Sequence, residues 1–315
     1  MTATLDRIVH PDINYSAETG HRKSGLGVGL VALMIAMVVA GLGIYAASLV
    51  GSAGDEETLG QVLAVAFGLN TTALVLLKTG IAVVLIGILV RIWIRVESVK
   101  ASLPALRADV EVGTIRTGDV DTDFGPATVS AKAPTRLPIH RMANTMWGPM
   151  LVMGVMAVFT GLVVSWVWAG NIGTSTGLGA AAWTQGLQFL GEGFVLASIS
   201  FLLASILSGL REGGGEVQEA LGLPVKTLKM PPTAKTFVAL MMMGLMIEIA
   251  QFGLYIYITT FDDLARYTLW SSWLGPFREL GLGLLLAGIV LALATIAKAL
   301  GFQFSRIRDI VATGT

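Results

Sequence analysis

Of the residues able to do chemistry, Glu248 stands in the most demanding place. It lies in the run Met-Met-Met-Gly-Leu-Met-Ile-Glu-Ile-Ala-Gln, with Gln251 three positions on. At that spacing on a helix the carboxyl and the amide share a face. A charge in the middle of so apolar a stretch costs about 2.5–3.5 kcal/mol to place in lipid, so it must face other helices, pair with a cation or hold a proton. The chemistry on offer is an ion or proton relay. The plainer use is a neutral acid that hydrogen-bonds between helices or anchors a partner subunit. Lys78 and Glu192 come next, at similar depth in their own apolar runs. Paired, each would offset the other's desolvation. Apart, the long Lys78 stem would carry its ammonium to the headgroups, and Glu192, like Glu279, would gain from the positive end of a nearby helix start. Separate placement is the expectation.

Softer chemistry is offered by a methionine stripe, Met142, Met146, Met150, Met153 and Met156, whose intervals keep the sulfurs on one helix face. Thioethers suit Cu(I), yet the chain has no cysteine and no methionine-rich outer segment to collect the ion. Packing is the commoner use of such side chains. His21 and His140 precede two apolar runs, and two histidines on different helices could hold a haem. Each is followed by an arginine, which points instead to a headgroup contact at the inner leaflet. Asp119, Asp121 and Asp123 have the spacing that opens a calcium loop. Phe124, however, stands where the turn needs glycine and Ser130 where the bidentate acid belongs. A solvated acidic turn is expected there, with 110–115 and 127–131 as strands of a short hairpin.

No catalytic residue is assigned, since the sequence has no phosphate-binding lysine loop, dinucleotide fingerprint or nucleophile elbow. The lack of cysteine excludes disulfides, thiolate zinc sites, iron–sulfur clusters and cysteine nucleophiles. A net charge of +0 gives no general attraction to nucleic acid.

The elements that must hold these residues are set by composition. Hydrophobic residues make up 54% of the 315 and charged ones 13%, with a mean hydropathy of +0.74. A soluble domain carries about 25% charged residues, so lipid is the natural solvent. Crossing the hydrocarbon core takes about 20 mainly apolar residues, and six runs qualify: 25–49, 72–94, 146–170, 183–210, 237–259 and 277–300. The apolar stretch 61–69 reads as an interfacial lead-in to the second run, and 260–276, which mixes acids, aromatics and apolar residues, as a segment lying along the outer surface.

Lysine and arginine gather before the first run, between the second and third, between the fourth and fifth, and after the sixth. The remaining connections are short and hold Asp55, Glu56, Glu57, Asp262 and Asp263. The positive-inside rule then places both termini in the cytoplasm. The expected fold is all-α: a polytopic membrane protein of six transmembrane helices in three hairpins, sited in a bacterial cytoplasmic (inner) membrane.

Its divisions are a cytoplasmic segment 1–24, hairpins at 25–95, 139–210 and 235–300, cytoplasmic linkers at 96–138 and 211–234, and a tail 301–315. His-Arg pairs before the first and third runs, and a charge in the second helix of each hairpin, hint at a threefold repeat. Membrane lipids are expected partners and bound lipids the expected non-protein component. Other membrane subunits or self-association are also expected, and nucleic acid is not. The scarcity of catalytic residues favours a non-catalytic subunit or scaffold of a membrane assembly. The alternative is a transporter or channel for a small solute, proton or metal ion, built on Glu248, Gln251, Lys78 and Glu192.

Overall fold

Local signals in the chain start and stop the helices. A computed structural model describes residues 31, 34–49, 55–107 and 115–313. A short apolar helix, α1 (Met34–Ser48), comes first. Asp55 then caps α2 (Glu56–Arg107), its Oδ1 accepting the Thr58 N–H at 2.7 Å. That bond holds the Asp55 carboxyl below the ordinary carboxylate range. Pro138 opens α3 (Pro138–Ala169), where its missing N–H costs nothing. The turn after α3 passes through Gly173 at φ +79°, a left-handed conformation that favours glycine. Thr174 then caps α4 (Ser175–Ala220) by accepting the Gly177 N–H at 3.0 Å.

At its far end α4 stops in a Schellman turn. Leu223 N–H reaches the Gln218 carbonyl, Gly222 N–H reaches that of Glu219, and Gly222 takes φ +71°. Helices α5 (Pro232–Ile258) and α6 (Leu264–Thr313) complete the set.

The described chain is 82% helical, and five of its helices are long and apolar enough to cross a membrane. Four are peripheral, with 28–33% of their most apolar stretch buried, whereas α4 is 78% buried and forms the axis. Small residues let its neighbours approach. A Cβ on Gly154 of α3 would fall 2.8 Å from the Gly191 carbonyl oxygen of α4, and one on Gly186 of α4 would fall 2.8 Å from Tyr255 Cβ of α5. In lipid, such close packing and the hydrogen bonds it admits hold helices together, because burial from water no longer drives them. One such bond runs from Ser198 Oγ to the Trp147 carbonyl at 2.8 Å.

A small antiparallel sheet caps one end of the bundle. Its strands are β1 (Gly118–Thr122), β2 (Gly125–Ser130) and β3 (Val225–Leu228), in the order β1-β2-β3. The first strand lies later than the expected 110–115, of which 110–114 fall outside the described residues. The third comes from the next linker, whose four strand residues are too few to alternate visibly in sequence. Arg306 of α6 ties the sheet to the bundle, donating from Nε to the Lys226 carbonyl at 2.9 Å.

Two expectations are corrected. Residues 61–69 are not an interfacial lead-in but part of α2, which runs unbroken from Glu56 to Arg107. Residues 264–276 do not lie apart from the last span. They are the first turns of α6, which continues through Pro276. Proline's ring excludes the carbonyl four residues back, but one such defect does not end a helix that packs along its length.

Candidate functional site

Four helices bring ionisable side chains to one buried place. Lys78 of α2 donates from Nζ to Glu192 Oε1 of α4. Arg278 of α6 lies 3.5 Å from Glu192 Oε2 through Nη2 and 3.6 Å from Glu279 Oε1 through Nη1. Its guanidinium carbon stands 3.9 Å from the centre of the Phe189 ring, a cation–π contact. Glu192 is 2% exposed. Separate snorkelling of Lys78 and Glu192 is therefore corrected to a direct ion pair. The helix-start argument for Glu192 and Glu279 also lapses, because α4 begins at Ser175 and α6 at Leu264, several turns before them. A macrodipole acts over only the first turn or so.

Glu248 of α5 sits beside this group. Its side chain occupies the space left by two glycines. A Cβ on Gly193 of α4 would fall 2.6 Å from Glu248 Cγ, and one on Gly281 of α6 would collide with Glu248 Oε1. Both carboxyl oxygens are buried and have no hydrogen-bond partner among the described residues. The same holds for the amide oxygen of Gln251. Gln251 and Tyr255 continue the buried face of α5 towards its far end, where the Tyr267 hydroxyl is likewise buried and unpartnered. Buried polar groups are hydrogen-bonded as a rule, so a run of such orphans sets this face of α5 apart from the rest of the bundle.

The charges can be counted. Lys78 and Arg278 balance Glu192 and Glu279, which leaves Glu248 as the surplus group. It can rest neutral as an acid, or ionise when a cation arrives beside it. Reversible uptake of a proton or small cation is the chemistry this arrangement allows.

No known family, curated protein or solved structure matches the chain. The geometry of the buried charges is therefore the guide to function.

Lys78, Glu192, Glu248 and Gln251 thus come together. Sequence reasoning missed Arg278 as a member, having placed it at the edge of a span. A signal was present in the adjacent Arg278-Glu279 pair, two charges inside the first residues of an apolar run. The methionine stripe divides: Met142, Met146 and Met150 pack into the core, while Met153 and Met156 are exposed. Its sulfurs therefore share no common environment. No cluster of three or more histidine, aspartate or glutamate side chains suited to a metal occurs among the described residues. Asp119, of the suspected calcium loop, lies in β1 and accepts from Lys229 at 2.6 Å.

His21 lies outside the described residues. His140 belongs to a second polar group at the sheet-bearing end, 3.9 Å from Glu212 Oε1. Glu212 accepts from Arg136 Nε at 2.7 Å and from Ser208 Oγ at 2.6 Å. The bond to Glu212 raises the pKa of Arg136 above its ordinary value.

Proposed function

We propose that this chain is an integral membrane protein of six spans, with both termini cytoplasmic, that moves protons or a small monovalent cation through the Glu248 site. One observation carries the reading: a carboxyl from α5, buried and without partners, stands against a balanced set of charges from three other helices. Buried intramembrane charges are costly and mark ion pathways and proton relays. Gln251 supplies a free amide oxygen one turn away, suited to a desolvated cation. The six-span count adds α1, whose small residues Ala36, Gly43 and Ala46 are buried while its large apolar ones face outward.

The test is Glu248→Gln in proteoliposomes, with proton and alkali-cation flux measured by entrapped dyes. Glutamine keeps the shape of the neutral acid, so the variant should fold and lose flux. Undiminished flux in the variant, or none in the parent protein, rules the reading out.

A second reading, a subunit of a larger membrane assembly, is favoured by Glu279. That carboxylate is 70% exposed although it stands near the depth of the buried cluster. A neighbouring helix bearing a cation would satisfy it. Stoichiometric co-purification of another membrane chain, with no flux to lose, supports this second reading.

A further inference from the structure

At the sheet-bearing end, α3, α4, α5, α6 and the sheet enclose a half-open cavity of about 270 Å³ that the ion-pathway reading does not use. Its two ends differ in chemistry. Arg211, Arg306, His140 and Lys229 line the side nearer the sheet. Ala204, Phe237, Val238 and Thr295, deeper along α4, α5 and α6, give it an apolar wall.

The cations there are not all neutralised from within. Lys229 has Asp119. Arg306 is 2% exposed, yet its partners are all neutral: the Lys226 carbonyl, the Gln303 amide oxygen at 3.3 Å and the Phe302 ring, 4.8 Å from its guanidinium carbon. Arg211 has a buried Nη1 with no hydrogen-bond partner, and no carboxylate pairs with Arg211 or Arg306 among the described residues. Glu212, the nearest acid in sequence, already binds Arg136 and Ser208. Two guanidinium charges lining one cavity repel each other, and a buried unpaired cation is expensive, so an anion between them would lower the energy of both.

We propose that this cavity binds the headgroup of an anionic phospholipid, whose phosphate meets Arg211 and Arg306 and whose acyl chain follows the wall made by α5 and α6. The volume fits that division. Pockets for whole small molecules run to about 300–1,000 Å³, so this one holds a headgroup and leaves the tails outside. Its place also fits: basic pockets between transmembrane helices near a membrane face are a recurrent way to hold acidic lipids. A free phosphate would satisfy the arginines equally but would gain nothing from the apolar wall.

The experiment uses the full chain in mild detergent. Thermal unfolding is followed with added phosphatidylglycerol, phosphatidylcholine or inorganic phosphate, and retained lipids are counted by native mass spectrometry. Phosphatidylglycerol should raise the unfolding midpoint and remain bound at one per chain, whereas the other two should do neither. Arg211→Gln should weaken phosphatidylglycerol by about tenfold or more, the scale of one lost charge-assisted hydrogen bond. Arg211→Lys should keep most of the affinity. Equal effects of phosphatidylcholine, or full replacement by inorganic phosphate, overturn the proposal, as does unchanged affinity in Arg211→Gln. The three-ligand comparison on the unaltered protein decides the matter even if the glutamine variant does not fold. It is also independent of any flux through Glu248.

Discussion

Lys78 and Glu192 show how much one contact can change the meaning of two residues. Taken separately, each has a harmless explanation, one a snorkelling stem and the other a helix-start carboxylate. Their contact makes each the reason the other can be buried. Truncating one member of a buried pair typically costs about 3–5 kcal/mol, because the remaining charge is stranded. Here Arg278 stays 3.5 Å from Glu192, so Lys78→Met should cost less than that range when measured by thermal unfolding in detergent. Glu192→Leu alone should cost more, since it strands two cations at once. The double variant should recover part of the loss, and equal costs for the two single variants would contradict this hierarchy. Which polar groups sit in apolar surroundings was legible from residue types and spacing, and Glu248 and Gln251 stood out on that ground. Which charges meet was not, because pairing joins α2, α4 and α6, whose mutual register no local pattern records.

At the scale of the element, five of the six apolar runs were visible as helices of spanning length, since hydrophobic length alone decides that. Their ends were less legible. Helices α2, α4 and α6 have 52, 46 and 50 residues, far beyond the roughly 20 a membrane requires. A few polar residues interrupt the apolar runs, Asn70, Thr71 and Thr72 after 61–69 and the mixed segment before 277, so 61–69 and 264–276 read as separate segments although the backbone continues.

The seams between helices depend on glycine, and here a contrast can be tested. A Cβ on Gly154 meets both the Gly191 carbonyl oxygen and Val195 Cγ2 at 2.8 Å, whereas one on Gly148, on the same helix, meets nothing within 4 Å. Gly154→Ala should cost at least about 1–3 kcal/mol, because helix backbones must separate to admit the methyl. Gly148→Ala should be neutral or stabilise by up to about 1 kcal/mol through helix propensity. Chemical unfolding in detergent measures both, and a matching cost would show that the α3–α4 seam is looser than drawn.

The whole molecule has two unlike ends. The sheet, the Arg306 tie and the basic cavity lie at one end. At the other, the turn between α5 and α6 carries Asp262 and Asp263. The excess of lysine and arginine in the segments that lead to the sheet predicts that this end is the cytoplasmic one. Because the chain has no cysteine, a single introduced thiol is unambiguous. Asp123 at the tip of the β1–β2 hairpin and Asp262 in the opposite turn are both exposed, so neither substitution disturbs packing. In intact cells an impermeant maleimide should modify Asp262→Cys and spare Asp123→Cys, and permeabilisation should make the two equal. The reverse pattern would invert the molecule, moving the basic cavity to the outer leaflet. Labelling of both in intact cells would mean that the helices between them do not separate two compartments, and an ion pathway through Glu248 would then have nothing to connect.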